Sequence, residues 1–445
     1  MADFPIAPAP PLRATPLLQQ RPFRMLSYTR FFSRVAQNSL NFGLLLLIVD
    51  ETGRAFFSSL LVLALVVPST AAGIAAGALA DSLPKRLLIV LGDLLRVSVC
   101  AFVVWWGPGV AVYFVVAVAF AVTTQIATSA EGAALPAIVE RHELARANAI
   151  GHAVGGVAQI VGFGILTPIV LRVFESPTTL FAIAAVLFFI ASVQAVMIGP
   201  VRGGERLEVG GEHDAPWWKV GWNQLRSDSF VWHASIELTL IQMTVIIVGG
   251  LIPTYIDEVL DLPIEIGVIV LMPAAIGITL GLRVAGFLAK RIPHAILSTT
   301  GFASFVVLLA MVAFVPQEAR FFAGYPYLGW LDDISIGSFG GAAILAMILV
   351  MPLGFAYAVV VVAGQTVLND RVPLSLQGRV LATQAAMSAL AASVPVLIAG
   401  ALGDWLGVQP VLALLSAIAG GAAAINVREN RKARRLASAR PAHVR

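Results

Sequence analysis

The chain has 445 residues, of which 58% are hydrophobic and 12% are charged, and its mean hydropathy is +0.88. Because a water-soluble globular domain carries about 25% charged residues, this composition excludes a soluble enzyme or binding domain and indicates a membrane protein with several spanning helices. The net charge of +4 does not indicate a nucleic-acid partner, because the basic residues lie at the ends of apolar stretches and form no continuous face.

Residues 1–28 are rich in proline and contain no apolar core, so we expect a disordered cytoplasmic tail there and not a signal peptide. Twelve apolar stretches follow, each with the ~20 residues that a membrane-spanning helix needs. The first six are residues 29–49, 56–80, 87–106, 110–139, 146–172 and 179–199. The second six are residues 230–254, 264–289, 295–316, 338–369, 377–403 and 409–427.

The two sets of six predicted spans define two halves, residues 29–199 and 230–427. Residues 200–229 between them are polar and end in APWWKVGWNQLRSD, which predicts a cytoplasmic linker with a short helix at the membrane interface. Residues 428–445 form a basic tail, which we also expect to be cytoplasmic. We therefore predict an all-α membrane protein with twelve transmembrane helices in two halves of six.

Most of the 29 lysine and arginine residues fall in the two tails and in the segments that follow predicted spans 2, 4, 6, 8 and 10. The loops on the other side of the membrane contain only Arg54, Arg172 and Arg320. This asymmetry predicts that both termini are cytoplasmic, because loops with many positive charges stay on that side of the membrane.

Two short segments of the first half have counterparts in the second half. Residues 77–86 (GALADSLPKR) and 286–295 (GFLAKRIPHA) share glycine, leucine, alanine and proline at equal positions, and each follows the second span of its half. Residues 139–149 and 372–382 share valine, arginine and alanine, and each opens the fifth span of its half. Two matches at equivalent places indicate an internal repeat.

These features carry a resemblance that covers the whole chain. The six-plus-six plan and the pattern G-x-x-x-D-x-x-x-[KR]-[KR] after span 2 resemble the major facilitator superfamily. Four segments resemble most its drug-efflux group that includes macrolide exporters: FRMLSYTRFFSRVAQN, GALADSLPKRLLIVLGDLLR, ERHELARANA and VPLSLQGRVLA. The resemblance implies a secondary transporter in the cell membrane that works by alternating access. We expect a monomer without a cofactor or a metal ion.

The resemblance also implies a cytoplasmic gate, which we call the cytoplasmic latch. Asp81 would face the start of span 11, where free N–H groups and the helix dipole favour an anion. Lys85 and Arg86 would hold carboxylates or lipid phosphate, although they also fit the simpler role of topology markers. The residues expected in the latch are Gly77, Asp81, Lys85, Arg86, Asp93, Arg96, Arg146, Lys290 and Arg379.

Some positions of the latch depart from the pattern of the family. Ser82 and Pro84 replace the usual base and glycine, which predicts a stiffer loop and a weaker latch. Lys290 replaces the aspartate in the second half, and we expect it to pair with Glu140 or Glu143.

Spans 1, 4, 7 and 10 line the central path in this superfamily. The polar residues that we select within them are Arg34, Gln37, Asn38, Asn41, Gln125, Glu131, Glu237, Gln242 and Gln365. A buried ionisable residue costs at least ~2.5 kcal/mol, which makes each one a functional candidate. We expect Arg34, Glu131, Glu237 and Gln365 to form a ring roughly 6–12 Å inside the membrane, although Arg34 could instead reach back to the interface.

The predicted ring suggests a coupling ion and a cargo. A carboxylic acid in a dry cavity binds a proton readily. Glu237 is therefore the first candidate for proton coupling, and Glu131 is the second. An acidic ring favours a cationic or neutral amphipathic cargo, whereas a free Arg34 would favour an anion. The expected function is proton-coupled efflux of drug-like amphipathic compounds. The alternative is import or facilitated diffusion of a metabolite or an organic anion.

Other mechanisms lack their motifs in this sequence. There is no G-x-x-x-x-G-K-[ST] for an ATP-driven pump, and no H-E-x-x-H or G-x-S-x-G for a membrane enzyme. His152 and His233 have no other metal ligands near them in sequence, and Cys100 is the single cysteine. Span 5 resembles the glycine-rich motif of antiporters in this superfamily. Phe163 stands where proline is usual and residues 166–167 replace two glycines, so the sequence supports transport more strongly than antiport.

Overall fold

The computed structural model describes residues 17–140, 143–199, 217–263, 267–288, 291–323 and 339–439. Twelve helices in these parts are long and apolar enough to cross a membrane. Each of them coincides with one predicted span, so the predicted all-α fold with twelve transmembrane helices is confirmed. Backbone groups cannot bond to water inside a bilayer, and helices satisfy them within each segment.

The first half begins with a single turn of 3-10 helix at Leu17–Gln19. Its helices are α1 (Arg21–Thr52), α2 (Ala55–Ser82), α3 (Lys85–Trp106), α4 (Val110–Ile138), α5 (Leu144–Gln159), α6 (Thr167–Phe174) and α7 (Pro177–Val196). A π-helical segment, Ile160–Leu166, joins α5 to α6 so that the two form one span. A short helix, α8 (Trp217–Ser227), precedes the second half.

The second half contains α9 (Ser229–Glu258), α10 (Met272–Leu288), α11 (His294–Ala313), α12 (Val315–Ala323), α13 (Gly341–Arg371), α14 (Leu374–Leu406) and α15 (Val408–Ala439). A 3-10 turn, Val268–Leu271, leads into α10. The spans of this half are α9, α10, α11, α13, α14 and α15, and α12 is too short to cross a membrane.

The first and last helices extend into the predicted tails. Helix α1 begins at Arg21, because Phe23 and Leu26 are buried in an apolar cluster with Leu135 of α4 and hold the first turns in place. Helix α15 continues to Ala439, well beyond its apolar stretch. Residues 1–16 and 440–445 lie outside the described part of the chain.

The predicted short helix before the second half is α8, and it is attached to that half. Leu225 is fully buried, and the backbone of Gly221 lies close to Thr383 and to the Arg379 carbonyl of α14. The ring of Trp222 packs edge-on against the ring of Trp232, with 5.5 Å between centroids. Helix α8 is therefore packed on the second half.

Because twelve crossings return the chain to its starting side, both ends lie on one side of the bundle. We call this the basic side, since the loops with most lysine and arginine residues lie there, and we call the other the acidic side. The acidic side holds the connections after α1, α3, α6, α9, α12 and α14.

The two halves contact each other near the acidic side, where α2 packs against α9 and α14. The Ser58 hydroxyl donates a hydrogen bond of 2.5 Å to the Gly250 carbonyl of α9. Fully buried Ser59 lies against Gly250 and Gly400, where no larger side chain would fit. Nearer the basic side, α2 and α14 are separated by a cleft of about 730 Å³ that is lined by residues such as Thr70 and Leu390. The halves thus close the acidic side and diverge toward the basic side.

A buried ion pair holds α1 against α3. Arg96 and Asp93 have no exposed side-chain surface, and 3.4 Å separates a guanidinium nitrogen of Arg96 from a carboxylate oxygen of Asp93. Ser33 of α1 donates a hydrogen bond to Asp93 and accepts one of 2.5 Å from Arg96. The guanidinium also lies 5.1 Å from the centre of the Phe188 ring of α7. Asp93 and Arg96, expected in the cytoplasmic latch, therefore lie inside the first half, because each satisfies the charge of the other there.

The π segment of span 5 lies close against α1. The backbone of Gly162 lies against the Val35 carbonyl and the backbone of Ser39. The Thr167 hydroxyl donates to the Ser39 carbonyl at 3.1 Å. A glycine is required because a Cβ atom would collide with backbone atoms that cannot move away.

Gly162→Ala should therefore lower the midpoint of thermal unfolding in detergent. Gly156→Ala, one and a half turns earlier, is the matched control, because no atom lies within 4 Å of the position that its Cβ would take. We expect the control to be neutral or slightly stabilising, since alanine is favoured over glycine in a helix by roughly 1 kcal/mol. Equal midpoints for the two variants would contradict the close approach.

Arg96→Met should destabilise the protein by about 3–5 kcal/mol, because it leaves the buried Asp93 carboxylate without its partner. The double variant Asp93→Leu/Arg96→Met removes both charges and should recover most of the loss. Chemical or thermal unfolding in detergent measures both effects. A double variant as unstable as the single one would show that packing at Arg96 matters more than its charge.

Candidate functional site

A polar cavity of about 520 Å³ lies between the halves, in the part of the bundle nearer the basic side. Its walls come from α1, α4 and α5 of the first half and from α10 of the second half. The lining residues are Arg30, Arg34, Asn38, Thr128, Glu131, Gly132, Asn148, Gly151, Gly155, Gly156, Gln159, Ala275, Ile278, Thr279 and Leu282. Since both halves contribute, movement of one against the other must change the shape of this cavity.

Glu131 is neutralised by a residue that the sequence did not single out. Its carboxylate lies 3.6 Å from the Nε of Arg30, and Arg30 also donates a hydrogen bond of 2.8 Å to the Glu131 backbone carbonyl. The Glu131 side chain is buried, so this pairing removes the cost of an isolated charge. Arg30 lies at the start of predicted span 1, where a basic residue also fits the rule for cytoplasmic positive charge, yet its spacing of four residues from Arg34 places both on one helix face.

Arg34 lies one turn further along α1 and faces the same cavity. Among the residues that the structure describes, it has no ion pair. Asn38 follows after one more turn and also lines the cavity. Arg30, Arg34 and Asn38 thus form a polar stripe on α1 that is about 12 Å long along the helix axis.

Several of the predicted cavity residues lie elsewhere. Gln37, Asn41, Gln125, Gln242 and Gln365 are absent from the lining of this cavity. The Oε1 of Gln37 is buried without a hydrogen-bond partner, Gln125 lies against Gly73 of α2, and Gln365 is exposed on α13. Each residue lies on one face of its helix. Knowing that a residue belongs to a span does not tell which face that is.

Glu237 does not join Arg34 and Glu131 in a ring. It is buried inside the second half, where Ser298 of α11 donates a short hydrogen bond to it and Asn426 of α15 donates one of 3.3 Å. It also borders a separate cavity of about 210 Å³ together with His294 and Arg371. The expectation that Glu237 faces the central path is therefore corrected, because polar partners on α11 and α15 draw it to the other face of α9.

A second, apolar cavity of about 340 Å³ adjoins the polar one and lies nearer the acidic side. The two share Gln159, Ala275 and Ile278 in their linings. The remaining walls are mainly aliphatic and aromatic, with Phe163 from the π segment and Tyr255 from α9 among them. We call the two adjoining cavities together the amphipathic space, which has a charged end and an apolar end.

The residues of the cytoplasmic latch whose side chains the structure describes do not pair with one another outside the Asp93–Arg96 pair. Lys85 and Arg86 are half-buried at the start of α3, Arg146 is exposed at the start of α5, and no ion pair involves any of them in the described part of the chain. No atom lies within 4 Å of the position that a Cβ at Gly77 would take. Arg379, half-buried near the start of α14, accepts a hydrogen bond of 2.8 Å from Thr383 at its carbonyl.

Two of the latch positions lie outside what the structure describes. These are Lys290 and the side chain of Asp81, so the expected partners of both stay predictions. Glu143, one proposed partner of Lys290, accepts a hydrogen bond of 3.2 Å from Gln20.

The described residues include no group of three histidine, cysteine, aspartate or glutamate side chains that could hold a metal ion. The cavities offer groups that can recognise a ligand: a positive charge, carboxamide groups and an apolar wall around a space the size of a small molecule.

The sequence profile of the Major Facilitator Superfamily matches residues 26–353 of this chain. No curated protein sequence matches the chain. Among solved structures, a mutant of the nucleoside transporter NupG superposes with a TM-score of 0.72 at 11% identity, over 92% of this chain and 99% of that one. A bacterial homologue of the human lysosomal transporter Spinster, inward-facing and unoccupied, gives a TM-score of 0.68 at 13% identity, over 93% and 97% of the two chains.

A mutant of the peptide transporter POT, solved with sulfate, gives a TM-score of 0.69 at 12% identity, over 93% of this chain and 95% of that one. At such low identities these structures establish the shared fold and no more. The sequence profile covers most of the chain and agrees with that fold. The protein is a multi-pass membrane transporter and not an enzyme, and it belongs to the Major Facilitator Superfamily.

Proposed function

We propose that this chain is a secondary transporter of small amphipathic organic anions. The observation that carries the proposal is Arg34, which has no ion pair in the described part of the chain and lies at the charged end of the amphipathic space. Because Arg30 and Glu131 neutralise each other, the cavity keeps one positive charge. A guanidinium suits a carboxylate, sulfonate or phosphate group, and the adjoining apolar cavity suits an aromatic or aliphatic body.

The charge distribution supports an orientation in the membrane. We assign the basic side to the cytoplasm, which places the protein in the cell membrane with both termini inside. The conformation described above is then inward-facing. One copy is sufficient for the cycle, because the two halves that enclose the cavity belong to the same chain, and we therefore expect a monomer.

We propose efflux as the direction of transport, on the resemblance of four segments to the drug-efflux group. The cargo would then be a drug-like amphipathic compound with an acidic group. The free arginine also favours the alternative of import of an anionic metabolite. Transport into inside-out and right-side-out membrane vesicles separates the two: efflux fills the inside-out vesicles, whereas import fills the right-side-out ones.

Coupling to protons is proposed for Glu237. Its carboxylate lies at the small cavity that reaches the basic-side ends of α11 and α13, where His294 and Arg371 border the same space. A proton could enter there without passing through the amphipathic space. The proton site and the cargo site would then be separate and coupled through the movement of α9, which belongs to both the small cavity and the apolar cavity.

Arg34→Gln should weaken binding of an anionic probe by about 10- to 100-fold, the effect of losing a charge-assisted hydrogen bond. The probe is 2-naphthoate, with the neutral 2-naphthamide for comparison, and calorimetry on the purified protein measures both affinities. Arg34→Lys should restore part of the affinity. Arg283→Gln is the control, because this exposed arginine of α10 lies outside the lining of the cavity. Equal losses for both probes would contradict an anion site.

Glu237→Gln should abolish accumulation that is driven by a pH gradient, because the amide mimics the protonated acid and cannot release a proton. Reconstituted vesicles with an imposed gradient and labelled 2-naphthoate measure this, and exchange without a gradient should persist. Loss of accumulation in Glu131→Gln but not in Glu237→Gln would transfer the coupling role to Glu131. Accumulation that both variants retain would remove proton coupling through either acid.

A further inference from the structure

The same pattern, Gly-Ala-Leu-x-Asp-x-Leu, occurs at the end of two helices that belong to different halves. GALADSL at residues 77–83 contains the end of α2 and its C-cap Leu83, and GALGDWL at residues 400–406 forms the end of α14. These helices pack against each other across the boundary between the halves. Since α2 starts on the acidic side and α14 starts on the basic side, the two copies of the pattern lie on opposite sides of the membrane.

The copy on the acidic side makes a defined contact. One carboxylate oxygen of Asp404 accepts a hydrogen bond of 2.6 Å from the backbone N–H of Ala55, and the other accepts one of 3.2 Å from the N–H of Phe56. These are the first two residues of α2, and the N-cap residue Arg54 offers no side-chain hydrogen bond to them. An aspartate of the second half thus supplies the N-terminal cap of a helix in the first half.

The electrostatics of the two helices favour this contact. A carboxylate at the C-terminal end of its own helix faces the negative end of that helix dipole, which is unfavourable. At the N-terminus of α2 the same carboxylate meets free N–H groups and the positive end of a dipole. Asp404 is therefore stabilised by α2 and not by α14, and the contact exists only while the halves are together on the acidic side.

We infer that Asp404 is the gate residue of the acidic side and that the cytoplasmic latch is its counterpart. Asp81 occupies the same place in the other copy of the pattern, and α14 begins after Pro373 without a side-chain cap of its own. When the basic side closes, Asp81 caps α14. When the acidic side closes, Asp404 caps α2. The transporter thus exchanges one cap for the other, and each conformation contains one.

This inference concerns the balance between two conformations of the empty protein. It rests on alternating access and on no particular cargo, coupling ion or direction of transport. If Arg34 fails as an anion site, the exchange of caps is unaffected, and the reverse also holds.

The experiment measures the opening of the acidic side. Spin labels replace Glu51 and Asp257, which are exposed at the acidic-side ends of α1 and α9, in a Cys100→Ala background. Double electron–electron resonance on the empty protein in lipid nanodiscs gives the populations of short and long distances. Asp404→Ala should raise the ratio of long to short distances by about fivefold, the effect of one lost helix cap. Asp404→Asn should raise it less, because its amide oxygen still accepts hydrogen bonds.

Glu258→Ala is the matched control. The Glu258 carboxylate lies 3.4 Å from the backbone N–H of Val408, at the start of α15 and on the same side of the membrane. Because α9 and α15 belong to the same half, loss of this contact should leave the distances unchanged. Asp81→Ala should shift the populations in the opposite direction, and the double variant Asp81→Ala/Asp404→Ala should return close to the starting ratio.

An unchanged ratio in Asp404→Ala, or an equal shift in Glu258→Ala, would overturn the inference. Size-exclusion chromatography in detergent checks that each variant is folded. If Asp404→Ala aggregates, Asp404→Asn decides the question in its place, with an expected rise of about twofold from the lost charge. No rise in that variant would overturn the inference as well.

Discussion

The close contact between the first turns of α2 and the acidic-side parts of α9 and α14 determines the conformation of the whole molecule. Small residues make it possible, since Gly250 and Gly400 leave room for Ser59 and allow Ser58 to bond to a backbone carbonyl of the other half. Without an aqueous phase between the helices, such packing and hydrogen bonds are the main attractions available to them. Because the halves meet at this end, they diverge at the other, and the amphipathic space lies within that divergence.

In the first half, two buried ion pairs lie beside α1, one within α3 and one between α1 and α4. Asp93 and Arg96 neutralise each other against Ser33, and Arg30 neutralises Glu131. Both arrangements hold α1 in one rotation, with Arg34 directed into the cavity. In the second half, a serine and an asparagine donate hydrogen bonds to the Glu237 carboxylate. The cavity therefore keeps the positive charge of Arg34, and the Glu237 carboxylate lies away from that cavity.

Much of the architecture could be predicted from the sequence because the bilayer imposes simple rules. Every span requires about 20 apolar residues, and all twelve predicted stretches correspond to helices. Of the candidate site residues, Arg34, Asn38 and Glu131 do line the polar cavity, whereas Glu237 and Gln365 do not. Arg30 was overlooked because a basic residue close to a helix end also satisfies the rule for cytoplasmic loops.

The sequence by itself determined the number of spans, the division into two related halves and the asymmetry of charge, because each depends on local composition and on the order of the chain. Only the tertiary structure decided which face of α9 carries Glu237 and which partner neutralises Glu131. It also decided that Asp404 of α14 caps the start of α2. These outcomes depend on the rotation of each helix and on contacts between residues hundreds of positions apart, such as Ala55 and Asp404. No local pattern encodes such distances, since they follow from how all the helices pack together.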